Sequence, residues 1–152
     1  MGINIGLEQM IVIGIDPDSK EHGVALYNGG ELMALYTWSL VEIMNFIKAD
    51  KKNGRDILFS IEDVASQNFV YGRNVNSKSI QSNIAMKVGR CQQAQIELQR
   101  VLEHLGCRYE LHKPQRGNWA KNKSQFEKAT GWTKRSNEDT RSAAFFGFLA
   151  IK

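Results

Sequence analysis

Two short apolar runs that each end in a carboxylate constrain the fold of this 152-residue chain more than any other feature. Met-Ile-Val-Ile-Gly-Ile-Asp ends at Asp16, and Ile-Leu-Phe-Ser-Ile-Glu ends at Glu62. A helical pattern separates the two runs, and a strand-helix-strand sequence favours parallel pairing. Because neighbouring strands lie about 4.8 Å apart, we expect both acids at one edge of one sheet, where they repel each other unless a cation lies between them.

The other apolar patterns predict a mixed α/β domain. Residues 10–16, 22–28 and 31–37 are short runs separated by turn signals, which predicts an antiparallel meander. Ser39 and Glu42 are spaced as a capping box that opens the first helix. The remaining patterns predict a strand at 57–62, helices at 80–105, 122–130 and 136–151, and a last strand at 107–112. The order predicts a mixed five-stranded sheet with helices on both faces.

The long helix predicted at 80–105 has two apolar faces. Its predicted core stripe, at steps of three, four and seven, consists of Ile84, Val88, Cys91, Leu98, Leu102 and Leu105. Ala85, Gly89 and Ile96 fall on another side, because seven residues rotate a helix by about 700°. Small residues on that side indicate a second packed helix, either from the same subunit or from a second copy of the chain.

Size and composition fit one globular domain with one core, since 42% of the residues are hydrophobic and 24% are charged. We predict that this domain spans residues 10–152 and that residues 1–9 are an extension. No apolar run approaches the roughly 20 residues that cross a bilayer, so we expect no membrane partner. Cys91 and Cys107 lack metal-binding or redox spacing, which favours small buried side chains in a reduced cytosol.

Basic residues are concentrated in one segment. The formal net charge is +4, whereas residues 113–135 alone hold seven basic residues against one acid, Glu127, for a net +6. Such a segment is either a solvated basic surface or a binding surface for a polyanion. The basic residues are Lys113, Arg116, Lys121, Lys123, Lys128, Lys134 and Arg135.

A third acid, Asp139, opens the final helix and could complete an oxygen-rich cage with Asp16 and Glu62. Each of two acids also has a purely structural interpretation, because Asp16 precedes Pro17 in a turn and Asp139 is spaced to cap its helix with Ser136. Together, three carboxylates are the ligands that Mg²⁺ prefers. Two such ions support hydrolysis of a phosphodiester, whereas His22, His104 and His112 lack the spacing of a zinc site.

These motifs resemble those of the RuvC-type Holliday junction resolvases of the RNase H-like superfamily, in particular the small phage versions. Gly14-Ile15-Asp16-Pro17 followed by Gly23-Val24-Ala25 is similar to the family's first strand and hairpin, Ile61-Glu62 to its second acidic strand end, and the segment at 137–143 to its last helix. The resemblance implies an RNase H-like fold, a homodimer, and paired nicking of four-way DNA junctions with two Mg²⁺ (or Mn²⁺) ions per site.

The resemblance also implies roles for individual residues. Asp16, Glu62 and Asp139 match the metal ligands, but the family commonly has a second acid three residues further on, where this chain has Ser142. Glu138 is the reserve ligand. Phe69 and Tyr71 look like the loop aromatic that enters a junction and stacks on opened base pairs. The basic residues predicted to contact DNA are Arg73, Lys78, Lys113, Arg116, Lys121 and Lys123, of which Lys121 and Lys123 could also stabilise developing charge.

Several alternatives share these features. A broader branched-DNA or flap nuclease, or an RNase H-type enzyme that cuts RNA, would use the same acids. A catalytically inactive nucleic-acid-binding module is the alternative that Ser142 raises. An actin-like ATP-dependent protein also begins with an Asp-bearing hairpin, but the chain is too short for two such halves and has no P-loop.

Overall fold

The structure is a computed structural model that describes residues 10–66 and 78–151. Within those ranges the element order is β1 (Met10–Asp16), β2 (His22–Asn28), β3 (Glu31–Trp38), α1 (Leu40–Lys51), β4 (Asp56–Glu62), α2 (Lys78–His104), β5 (Arg108–His112), α3 (Lys123–Thr130) and α4 (Glu138–Ile151). The predicted elements are therefore all present, with bounds that differ by at most two residues. None of the helices in these two ranges is long and apolar enough to span a membrane.

The five strands form one mixed sheet in the order β3-β2-β1-β4-β5. β1 pairs antiparallel with β2, and β2 with β3, which confirms the meander. β4 pairs parallel with β1 on one side and with β5 on the other. In the β1–β4 register Ile15 lies opposite Ile61, so Asp16 and Glu62 end their strands side by side.

Helices cover both faces of the sheet. On one face Ile43 and Ile47 of α1 and Leu98 and Leu102 of α2 pack in a core cluster with buried side chains of β1, β2 and β4. On the other face Ala143 and Ala144 of α4 and Phe126 of α3 pack with Val12, Ala25 and Tyr27 of the sheet and with Trp119. Alternation along each strand thus supplies both cores.

Glycine allows α4 to lie unusually close to the sheet. A Cβ atom added at Gly14 would lie 2.0 Å from the carbonyl oxygen of Ala143, and one at Gly147 would lie 2.7 Å from Cε2 of Tyr27. Two buried hydroxyls fix the helix there, because Tyr27 donates to the Ala144 carbonyl at 2.6 Å and Ser60 donates to the Phe146 carbonyl at 2.6 Å. The position of Asp139, at the start of α4, is therefore set by the sheet.

The helix ends agree with the sequence patterns except at the N-terminus of α4. The capping box of Ser39 and Glu42 is formed, and Gly131 ends α3 in the left-handed conformation at φ 72°. The predicted cap of α4 by Ser136 is wrong. Asn137 caps this helix, since its side-chain oxygen accepts the Thr140 N–H at 2.8 Å. An asparagine suits this position as well as a serine does, and Asp139 is left unused for capping.

The predicted core stripe of α2 is correct only in its C-terminal half. Leu98 and Leu102 are fully buried, but Ile84 is 41% exposed because no described element covers the first turns of the helix. No described atom lies within 4 Å of a Cβ built at Gly89, and Ile96 is 36% exposed. A second helix of the same subunit on the Gly89 face is therefore wrong for the described residues. Cys91 and Cys107 are free thiols that are half-buried rather than buried.

Candidate active site

The structure brings Asp16 and Glu62 together at the carboxyl edge of the sheet, as their strand ends predict. Ser142, on the second turn of α4, lies between them. Its hydroxyl donates to Glu62 Oε2 at 3.4 Å and also hydrogen-bonds the Asp16 carboxyl. The serine at the position where the resemblance implies an acid therefore contacts both carboxyl groups.

Burial and mutual repulsion change the acidity of this pair. The pKa of Asp16 is raised to about 8, first by burial and then by the carboxylates of Glu62 and Asp139, while the Ser142 hydroxyl opposes the shift. Burial also raises the pKa of Glu62, again against Ser142. The Asp16 carboxyl therefore holds its proton near neutral pH unless a cation compensates the negative charge. The pair is therefore electrostatically suited to a divalent cation.

Asp139 lies beside this pair. Its carbonyl oxygen would lie 2.4 Å from a Cβ atom at Gly23, and Gly23 pairs with Asp16 across β1 and β2. Loss of water around its carboxyl raises its pKa, and so do the neighbouring charges of Asp18 and Glu138. Glu138 and Asp139 are both exposed on the first turn of the helix.

As the side chains stand, no three His, Cys, Asp or Glu side chains in the described ranges are close enough to hold a metal ion. The donor set nonetheless fits one. Asp16 and Glu62 present carboxylate oxygens, which Mg²⁺ prefers, at one sheet edge, and the side chain of Asp139 is exposed beside them. Glu138 projects about 100° away around the helix, so one of the two acids on α4 faces the pair at a time.

Two charged residues near the acids were not predicted. Asp18, in the turn after Asp16, raises the pKa of both Asp16 and Asp139, and its N–H donates to His22 Nδ1 at 3.2 Å. Lys87 of α2 lowers the pKa of Asp139. The Asp-Pro-Asp spacing was a usable signal for Asp18. No sequence signal places Lys87 here, because its position depends on how α2 crosses the sheet.

Exposed basic residues lie near the same edge. Lys113 directly follows β5, whose last residue, His112, pairs with Glu62. Arg141 of α4 donates to the Ala120 carbonyl at 2.9 and 3.0 Å, which ties the residue before Lys121 to the helix of Asp139. Three other predicted DNA contacts are also exposed, namely Lys78 at the start of α2, Arg116 in the loop and Lys123 at the start of α3. Phe69, Tyr71 and Arg73 lie outside the described residues.

The fold is RNase H-like, of the RuvC type. No protein-family model matches the sequence, and no curated protein matches it. Among solved structures the chain is similar to Thermus thermophilus RuvC in complex with a Holliday junction substrate, at 14% identity and a TM-score of 0.59 over 93% of this chain and 92% of that one. A Thermus thermophilus RuvC structure matches at 15% identity and a TM-score of 0.52, over 93% and 94%.

The raised pKa of Asp16 predicts an unusual pH dependence of stability. Between the unfolded value near 3.8 and the folded value of about 8, only the folded state keeps this proton. The free energy of unfolding of the cation-free protein should therefore fall as pH rises through that range, by up to about 1.4 kcal/mol per pH unit. Urea unfolding at pH 5, 6.5 and 8 with EDTA measures the slope. Asp16→Asn should make the slope shallower without abolishing it, because Glu62 and Asp139 also have raised pKa values; an equal slope in both proteins would contradict the assigned pKa of Asp16.

Proposed function

We propose that the protein is a metal-dependent, structure-selective DNA endonuclease that resolves four-way junctions by paired nicks. The observation that carries this proposal is the Asp16–Glu62 pair, two partly buried carboxyls that end adjacent parallel strands and repel each other. A structural ion pair would have placed a cationic side chain between them, but Ser142 is the group found there. The RuvC-type fold and the exposed basic residues at the same edge support a nucleic-acid substrate.

The residues divide the work by position. Asp16 and Glu62 would hold the first Mg²⁺ or Mn²⁺ ion, and Asp139 would join them to share a second. Bound divalent cations would lower the pKa of an attacking water and stabilise the leaving 3′ oxygen. Lys113 and Lys121 would contact the phosphates on either side of the cut. Lys123, at the start of α3, would contact a further phosphate of the same DNA strand.

We also propose that the active form is a homodimer. Two exposed apolar side chains of α2, Met86 and Ile96, flank the Gly89 face, where no described atom lies within 4 Å of a Cβ built at Gly89. A four-way junction presents two equivalent strands, which a two-fold symmetric dimer can cut at equivalent sites. Light scattering at several protein concentrations, with and without junction, tests this; a monomer on the junction would contradict it.

Cleavage of a substrate panel tests the function. Four-way, three-way, flap and linear DNA, and an RNA–DNA hybrid, should be incubated with the protein and Mg²⁺. We expect symmetric nicks in the four-way junction and little cleavage of linear duplex. Best cleavage of flaps, or of the hybrid, would instead assign a broader branched-DNA nuclease or an RNase H-type enzyme.

One observation favours a second candidate, a binding module without catalysis. Ser142 stands where the resemblance implies an acidic ligand, and its hydroxyl hydrogen-bonds the carboxyl groups of Asp16 and Glu62. Such a module would bind the junction tightly but leave every strand of the panel intact with Mg²⁺ or Mn²⁺.

The basic residues predict a change in salt dependence. Lys121→Ala and Lys123→Ala should each weaken junction binding by a similar factor for all junction sequences, because phosphate contacts carry no sequence information. The slope of log affinity against log salt should decrease in magnitude by about 1 for each lysine removed. Lys48→Ala is the matched control, since Lys48 is an exposed lysine in the last turn of α1, at the opposite edge of the sheet. An equal effect in all three variants would contradict a localised DNA surface.

A further inference from the structure

Gln95 of α2 is completely buried, with 0% of its surface exposed. Its side chain makes three hydrogen bonds. Oε1 accepts the Ala65 N–H at 2.8 Å, and Nε2 donates to Asp63 Oδ1 and to Gln99 Oε1, both at 2.9 Å. Both donors and the acceptor of the amide are thus used, as burial of such a group requires. A residue that served only to fill space here would have been apolar.

Two of the three hydrogen bonds of Gln95, to Asp63 and Ala65, hold residues 63–66, the four residues that follow Glu62. Gln92, one turn earlier, donates from Nε2 to the Val64 carbonyl at 3.1 Å. Asp63 itself is fixed twice, because its N–H donates to the His112 carbonyl at 2.7 Å and its Oδ1 accepts the Ser66 N–H at 3.2 Å. Gln92 and Gln95, on adjacent turns of α2, therefore hold residues 63–66 in place.

The hydrogen-bond network of Gln95 extends through Gln99, away from Asp16 and Glu62. Gln99 donates to the Tyr109 hydroxyl at 3.2 Å, and Tyr109 donates to Glu103 Oε1 at 2.6 Å. The network joins α2 to the end of β4 and to β5. Since successive Cα atoms are only 3.8 Å apart, a shift of Asp63 relative to α2 also moves Glu62.

We propose that Gln95 is a positioning residue for Glu62, which it holds in register with Asp16 through its bonds to Asp63 and Ala65. The inference rests on the proposed function for the role of Glu62 as a ligand. It adds that the geometry of the site is set by hydrogen bonds from α2 and not by sheet pairing alone. Gln95 itself touches neither substrate nor metal ligand.

Gln95→Leu tests this proposal, with Gln93→Leu as the matched control. Gln93 is an exposed glutamine of the same helix whose side chain donates to Glu97 at 3.1 Å. In Gln95→Leu we expect hydrogen exchange at the Ala65 amide to accelerate at least about 10-fold. Single-turnover junction cleavage should slow by about 10- to 100-fold, the usual effect of losing a group that orients a ligand. The Mg²⁺ concentration for half-maximal cleavage should rise, while junction affinity measured in Ca²⁺ stays unchanged.

Asp63→Ala supplies a second variant if Gln95→Leu does not fold. It removes the acceptor for Gln95 Nε2 but keeps the Ala65 bond, so it should raise the Mg²⁺ requirement in the same direction and by less. Wild-type exchange at Ala65 in a folded Gln95→Leu protein would overturn the proposal, as would an unchanged Mg²⁺ requirement in a cleaving one. Failure of the wild type to cut any junction would instead overturn the proposed function, and the exchange data would still decide whether Gln95 fixes the segment.

Discussion

Replacing Asp16 with asparagine is expected to abolish junction cleavage and to leave junction binding intact or stronger. The substitution keeps the size of the side chain but removes a charge from the carboxyl pair that would hold the metal. Loss of a group that merely orients a ligand costs about 10- to 100-fold, so loss of a ligand should cost at least about 100-fold. Binding should not weaken, because asparagine brings no negative charge near the phosphates, whether or not a cation is bound. Single-turnover nicking and junction titration measure the two effects.

Asp56→Asn is the matched control for this experiment. Asp56 is the first residue of β4, at the opposite edge of the sheet, and pairs with Arg108 at 2.6 Å. An exposed pair of this kind contributes at most about 1 kcal/mol, so the control should cut junctions like the wild type. Equal nicking by Asp16→Asn and wild type would exclude the proposed site.

Gly14→Ala is expected to destabilise the protein strongly. A new Cβ atom would lie 2.0 Å from the Ala143 carbonyl oxygen and 2.7 Å from the Gly147 nitrogen, which are backbone atoms that no rotamer change can move. Overpacking of a core costs about 1 to 3 kcal/mol and occasionally more, and a clash with backbone belongs at the upper end. Thermal unfolding should show a midpoint lowered by roughly 6 to 12 °C for a loss of about 3 kcal/mol.

The control for this variant is Gly117→Ala. No atom of residues 10–66 or 78–151 lies within 4 Å of a Cβ atom built at Gly117, and its φ is outside the left-handed region. Its unfolding midpoint should therefore stay equal to that of the wild type or rise by at most about 4 °C, because a compatible change of this kind stabilises by less than about 1 kcal/mol. A small effect of Gly14→Ala would mean that α4 lies further from the sheet than described.

Local sequence patterns predicted most of the fold because they record local physics. The short apolar runs at 10–16 and 22–28, and the box of Ser39 and Glu42, each depend on neighbours close in sequence. The failures depend on neighbours far away. Ile84 has the spacing of a core residue, but whether a helix face is buried depends on what covers it. Ser136 and Asn137 are adjacent and are both favourable N-cap residues, so propensity alone does not decide which of them caps α4.

In the candidate site, too, local patterns placed some residues, and the packing of distant elements placed the others. Strand ends and parallel pairing were enough to place Asp16 beside Glu62. They did not place Lys87 or Gln95, because both lie on α2 and their distance from the acids depends on its crossing over the sheet. Metal binding by all four acids, and every predicted DNA contact, remain predictions. The acids are Asp16, Glu62, Asp139 and Glu138.

The 27-residue helix α2 extends one face beyond the part of the domain that buries it. Gln95, Leu98 and Leu102 of this face are buried, whereas Ile84, on the same face about three turns before Gln95, is 41% exposed. Amide bonds fix direction well but contribute little net free energy, whereas apolar contact contributes much and fixes direction poorly. Gln95 therefore orients the buried half of α2, whereas the exposed apolar residues of its first turns would gain stability from an apolar surface supplied from outside.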